Sequence, residues 1–391
     1  MKIKKLNHWL LLLFVFLLPT QFGKHFFFDF SYLSGIRVDY LAPTIYLTDI
    51  VFFFLLLINF KLLLRSFWQK QWLVVLGLMV INLLISQSRS ISIYQYLRTF
   101  ELISVYFIFK ASKLSRKQTL IVLLTSALIQ LPLVLVQLIS KQSLQGIFYF
   151  LGERYFRLST PGIAKASLTG VEFLRPYGTF SHPNSLAGFY LFLYFFVLSS
   201  KKFTKYLFLK NSFLLISSLL VFFSFSKTAI VVLLILNTGY YILNTKYRCF
   251  ICSFAKILIF AAVSLIFLQV KSDPFSLEKR LQLIKNSFLI IQRSLLFGVG
   301  SGNYLVAQNK LVQPFSNFLN QPVHNIFLLF INEWGVVGTI AGLFFLKPLL
   351  KFVFKKNVWL LLVVLLTGLF DHYWLTLNQN LFVLAAIIGE L

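Results

Sequence analysis

Apolar runs follow one another along almost the whole chain, separated by short polar connections. They lie at roughly 10–18, 44–63, 71–86, 93–111, 118–139, 184–199, 206–223, 228–244, 257–270, 324–346, 358–371 and 374–390, about twelve in all. A membrane span needs about 20 residues, fewer where neighbours or bilayer thinning compensate, so several of these runs are short. Lipid offers backbone groups no hydrogen-bond partner, so each run is expected as a helix. The predicted fold is all-α: one polytopic transmembrane bundle over 1–391, with two long connections at 140–183 and 271–323. Inside the second, residues 277–291 repeat apolar positions at helical spacing and read as a helix on the membrane surface.

Composition agrees with a polytopic membrane protein. The 391 residues are 58% hydrophobic with mean hydropathy +0.82, and only 12% are charged. A net charge of +26 would suggest nucleic acid in a soluble chain, but here its location decides. Twenty-one of the 37 basic residues fall in six short segments, at 2–5, 61–70, 110–117, 201–210, 246–256 and 347–356. By the positive-inside rule those segments are cytoplasmic, as are both termini, and the two long loops face outward. The charge is therefore a topology signal and implies no nucleic-acid partner. The basic start at 1–5 with its apolar run mimics a secretory signal. Pro19-Thr20-Gln21-Phe22 lacks small residues at a cleavage position, so an uncleaved first span is expected. Cys249 and Cys252 form a lone C-x-x-C without further ligands of zinc spacing, on the reducing side, and read as incidental.

Three stretches carry candidate chemistry. In the first, His324-Asn325 opens an apolar run, and Gly335, Gly338 and Gly342 follow. On a straight helix the glycines fall within about 40° of His324, whereas Glu333 lies about 180° away and roughly 13 Å along the axis. The stripe carries an imidazole above glycines that admit a neighbouring helix, and the group assisting His324 must come from elsewhere. The second stretch is Arg175-Pro176-Tyr177-Gly178-Thr179-Phe180-Ser181-His182-Pro183-Asn184, where Pro183-Asn184 suits a helix start. The third is Arg280, then Arg293 and the turn Gly298-Val299-Gly300-Ser301-Gly302. As a dinucleotide fingerprint it fails, since no strand precedes it and it lies outside; its glycines instead permit a tight turn against the bundle. Arg98 and Glu101, one turn apart within a span, are expected to neutralise each other.

H-N, nine residues, then G-x-x-G-T resembles the signature of the O-antigen ligase and polymerase superfamily of bacterial envelope enzymes. The arginine with G-T-F, P-N and L-A at 175–187, and the arginine, helix and G-x-G-x-G turn at 280–302, resemble the same superfamily. Ser224-Phe225-Ser226-Lys227 resembles a stretch that usually reads S-R, with Lys227 replacing the arginine. The resemblance covers most of the chain after about residue 90. It implies a metal- and cofactor-independent transferase of the bacterial inner membrane. Such an enzyme moves a glycan from an isoprenoid diphosphate carrier to a sugar acceptor on the outer face. It further implies His324 as the catalytic residue near the acceptor and Arg175, Arg280 and Asn325 as substrate-binding residues. Guanidinium forks suit diphosphate oxygens, and an imidazole can take the proton of an attacking hydroxyl. The outer acids, such as Asp29, Asp39, Asp273 and Asp371, form no D-x-D. Ligase and polymerase differ in acceptor, a lipid-anchored core against another carrier-linked repeat, and the motifs do not separate them. Two other classes remain open: a polyprenyl-phosphate sugar transferase with Asp39 as its acid, and a glycolipid flippase. A flippase would carry charges through its interior, where this chain has few, chiefly Asp49, Arg98, Glu101 and Glu333.

Overall fold

The computed structural model describes residues 2–244, 249–272, 276–311 and 320–391. Lys246, Arg248 and Asp273, used above, lie outside the described residues. The chain is 72% helical. Its helices are α1 (Lys2–Leu17), α2 (Leu47–Ile58), α3 (Phe60–Phe67), α4 (Gln71–Ile85), α5 (Arg89–Ala111), α6 (Arg116–Ser140), α7 (Pro183–Ser199), α8 (Leu207–Phe223), α9 (Lys227–Leu243), α10 (Phe250–Leu268), α11 (Ser276–Arg293), α12 (Tyr304–Asn309), α13 (Ile326–Gly368), α14 (Tyr373–Thr376) and α15 (Asn378–Glu390).

At the centre stands α7. Its sequence is apolar on all sides, as a helix enclosed by others must be, and every residue from Pro183 to Leu198 is buried. Pro183 occupies its first turn, where a missing N–H costs nothing, and the His182 ring accepts a hydrogen bond from the Asn184 N–H at 3.1 Å. Around it pack α8, α13, α15 and α9, while α5 packs on α15 and α6 on α8. Gly188 lets this core close: a Cβ there would collide with the Tyr373 ring. Three of the four interior charges named above are paired with one another. Arg98 bridges Asp49 at 2.9 Å and Glu101 at 2.5 Å, so the expected neutralisation involves two carboxylates.

Of the twelve expected spans, length and composition establish only some among the described residues. Three, Arg116–Ser140, Lys201–Phe223 and Phe250–Leu268, are by themselves long and apolar enough to cross a membrane. A fourth candidate, α2 with α3, bends by 82° at Asn59. Gln71–Ile85, Pro183–Ser199 and Lys227–Leu243 are apolar but shorter. Together these make an integral membrane protein in which many helices are short or broken.

The straight helix expected below His324 is also broken. Gly335 has φ 66° and ψ −175°, so α13 stops and restarts there. Segment 295–300 fills the gap. The N–H groups of Val299 and Gly300 donate to the Asn332 and Glu333 carbonyls, and those of Val336 and Val337 donate to Leu295 and Leu296. Non-helical backbone deep in a bundle survives only with such replacement partners. Gly298 and Gly335 meet so closely that a Cβ on either would strike the other's backbone segment. The glycines of the two motifs therefore serve one backbone junction, and Gly335, Gly338 and Gly342 do not form a straight stripe under His324. A second break lies at Asn357.

The long connections carry structure of their own. Strands β1 (Gly23–His25) and β4 (Thr44–Tyr46) pair, as do β2 (Tyr32–Leu33) and β3 (Ile36–Arg37). In the first long connection β5 (Lys165–Leu168) pairs with β6 (Val171–Leu174). It also pairs with β7 (Lys271–Ser272) at the start of the second. An all-α reading thus omits three small antiparallel sheets. The surface-helix reading of 277–291 corresponds to α11, whose Leu283, Asn286, Ser287 and Ile290 are buried against the protein.

Candidate functional site

The polar core of the molecule gathers where α7 begins and α13 starts and ends. His324 precedes α13, Asp371 and His372 follow it, and His182 caps α7. Ligand-capable atoms of His324, Asp371 and His372 lie within 4.8 Å of one another. The His324 and His372 rings meet edge to face at 5.2 Å between centroids. Asp371 is held from two sides. Its Oδ1 accepts the His372 N–H at 2.8 Å, and its Oδ2 accepts from Asn184 Nδ2 at 2.7 Å. Asn184 in turn accepts from Arg175 Nη2 at 2.6 Å, and Arg175 Nε donates to the Ser224 carbonyl at 3.1 Å. Three stretches quoted from the sequence, at 175–184, 224–227 and 324, thus converge on one carboxylate that none of them contains.

The electrostatics follow from burial. Burial lowers the His324 imidazole to about 3, with His372 and Arg280 reinforcing it and Asp371 opposing. His182 is lowered to about 3, by burial first and then by Arg175. His372 is lowered as well, mainly by burial. Burial pushes the Asp371 carboxyl up, yet His324, His372, His182 and the Asn184 hydrogen bond outweigh it and hold it below the usual range. At neutral pH the site therefore presents a carboxylate among neutral imidazoles. His324 Nδ1 is buried and has no hydrogen-bond partner among the described residues, which leaves it open for a proton.

Arg175 and Arg280 face this cluster. Burial, with the proximity of Arg280 adding to it, lowers Arg175 to about 10, and it stays charged at neutral pH. Neither guanidinium forms an ion pair with a carboxylate among the described residues. Two like charges within electrostatic reach of one another, neither ion-paired among the described residues, suit a shared anionic ligand.

The other predicted residues are placed elsewhere. Asn325 caps α13: its Oδ1 accepts from the Phe327 and Leu328 N–H groups at 2.9 Å, and its Nδ2 donates to the Leu369 carbonyl at 3.1 Å. Its amide is thus engaged with backbone. Lys227 is exposed at the start of α9, and the neighbouring Ser224 carbonyl is what reaches Arg175. Glu333 lies by the 298–302 turn, taking backbone bonds from Gly302 and Tyr304. Gly298, Gly300 and Gly302 belong to that turn, away from the imidazole. Sequence reasoning missed His182, Asn184, Asp371 and His372 as site residues. A signal was present: three of the chain's five histidines stand at the edges of apolar runs on one predicted side.

Beside the cluster opens a cavity of about 760 Å³. Loops 21–46 and 145–163, the first half of α5 and the segment 375–382 line it, and it reaches the cluster through His182, Tyr40 and Thr376. Thr376 Oγ1 lies 2.7 Å from His372 Nδ1, and the Tyr40 ring meets the His372 ring at 5.7 Å.

His324, Asp371 and His372 could also hold a divalent cation, since two imidazoles and a carboxylate suit several metals. Nearby guanidinium charge weakens such a site electrostatically.

No curated protein matches the chain. The model of a family described as O-antigen ligase matches residues 212–343, about a third of the length, from α8 into α13. Arg280 and His324 lie inside that stretch; Arg175, Asp371 and His372 lie outside it. This stretch is thus similar to the O-antigen ligase family, which supports the resemblance read from the sequence motifs at 280–302 and 324–339.

Proposed function

We propose that the protein transfers a glycan from an isoprenoid diphosphate carrier to a sugar hydroxyl at the outer face of the bacterial inner membrane, as an O-antigen ligase-like enzyme. The observation that carries this reading is the pair of guanidiniums, neither ion-paired among the described residues, beside a His–Asp–His cluster. Arg175 and Arg280 bind the donor diphosphate and stabilise it as it leaves. His324 accepts the proton of the attacking hydroxyl, and Asp371 stabilises the imidazolium that forms. A bound diphosphate adds negative charge, offsets Arg280 and raises the imidazole's affinity for a proton. A repeat-unit polymerase would use the same donor side and differ only in acceptor. A flippase fits less well, because Arg98, Asp49 and Glu101, the charges clustered in one span region, are paired with one another.

Transfer by the purified enzyme should survive chelation by EDTA, because two guanidiniums supply the charge that a metal would otherwise provide. Loss of activity restored by one divalent cation would instead put an ion between His324, Asp371 and His372. The orientation is tested separately, by cysteine labelling in intact spheroplasts. Ser167→Cys should react with an impermeant reagent and Lys202→Cys should not; the reverse pattern would invert the topology.

A further inference from the structure

The cavity beside the cluster contains polar atoms that the protein itself leaves unsatisfied. Gln145 and Ser181 both line it, and Gln145 Nε2 and Ser181 Oγ are buried without a hydrogen-bond partner among the described residues. Such atoms are rare in folded proteins and point to a ligand or solvent that completes them. Gln145 is held there by construction. Its backbone lies at φ 62° and ψ −142°, a costly conformation for a side-chain-bearing residue. The buried Glu153 carboxylate pins it by accepting from the Leu144 and Gln145 N–H groups at 2.8 and 2.5 Å and from Gln137 Nε2 at 2.8 Å. Partly exposed aromatic rings border the same space: Tyr40, Tyr149 and Tyr155 are 36, 51 and 65% exposed, with the Arg157 guanidinium over the Tyr155 ring. Arg154 and Asp39, 3.8 Å apart, add a planar donor and an acceptor. Unsatisfied donors, planar polar groups and partly exposed aromatic rings together suit a molecule with many hydroxyls and an apolar C–H face, which is a sugar chain. A lipid tail would leave the donors unpaired.

We infer that this chamber binds the sugar chain of the acceptor and delivers its hydroxyl past Tyr40 and Thr376 to the His–Asp–His cluster. The inference deepens the transferase reading and rests on it. The placement favours the acceptor, because neither Arg175 nor Arg280 lines the chamber while His182, Tyr40 and Thr376 join it to the cluster. The leaving diphosphate and the incoming hydroxyl then reach the reacting carbon from different sides. The new glycosidic bond forms as the carbon–oxygen bond to the diphosphate breaks, and the hydroxyl proton passes to His324.

Tyr155→Ala and Arg154→Ala test this, since both side chains are exposed and outside the catalytic cluster. Each should raise KM for the acceptor roughly tenfold, with donor KM and kcat at saturating acceptor unchanged. Unchanged acceptor KM, or a rise in donor KM alone, would overturn the assignment. A second measurement needs no turnover. Delipidated glycans of the source cell's own envelope, added to donor-free protein in nanodiscs, should give saturation-transfer signals that the double variant loses. Signals of equal strength in both proteins, or none in either, would reject the chamber. Glycan binding lost in the double variant, with no transfer by the wild type, would leave the chamber standing and remove the transferase reading alone.

Discussion

His324→Ala should slow transfer by about 10²–10⁴-fold, the contribution typical of a positioned base, while donor binding stays intact. The expectation rests on a buried Nδ1, without a hydrogen-bond partner among the described residues, beside the Asp371 carboxylate. His324→Gln should be equally impaired, because an amide preserves shape and polarity but cannot take up a proton. If the residue merely anchored the start of α13, Gln would retain activity, and only the abundance of the Ala variant would fall. The capping duty already belongs to Asn325, which makes that outcome unexpected. The pH dependence follows from the same geometry. The base must be neutral to act, and in the free enzyme burial lowers His324 to about 3. Its protonation therefore does not limit kcat/KM between about pH 5 and 8. With the donor bound, diphosphate charge raises the imidazole, so the acid limb of kcat should lie at higher pH than that of kcat/KM. Coincident limbs would separate the base from the diphosphate.

Arg280→Ala and Arg175→Ala should each lower kcat by about 10²–10³-fold, the cost of removing one preorganised donor from a developing anion. Lysine should restore little at either position, because a point charge does not replace a bidentate fork. The two arginines are distinguishable. Arg175 also holds the Ser224 carbonyl and Asn184, and through Asn184 it steadies Asp371, so its variants should lose thermal stability as well as turnover. The Arg280 guanidinium forms no ion pair among the described residues, so Arg280→Lys should lose donor binding at unchanged stability. Full activity in both lysine variants would remove the diphosphate from this gap.

Local features were legible in the sequence. Proline and asparagine at 183–184 marked the start of α7, and helical spacing at 277–291 marked α11, because both are written in neighbouring residues. Arginines 175 and 280 and His324 were readable from motif spacing, and the structure brings them within electrostatic reach of one another. What failed was non-local. The period of 3.6 ran unbroken through Gly335, and only segment 295–300, supplying replacement hydrogen bonds, turns that glycine into a break. Strand β7 has two residues and pairs with a partner about a hundred positions earlier, beyond the reach of any alternation signal. Asp371 carried no motif at all. Its role emerges only because the end of α13 folds back beside its own beginning, next to the cap of α7.

The most direct measurement uses purified protein, an isoprenoid diphosphate-linked oligosaccharide and a delipidated acceptor glycan in detergent, with both products followed. Free isoprenoid diphosphate and extended acceptor should form in equal amounts, and both should vanish in His324→Gln and fall steeply in Arg280→Lys. Donor that binds yet remains whole, or movement of intact donor across a reconstituted membrane without a new glycosidic bond, would contradict the account.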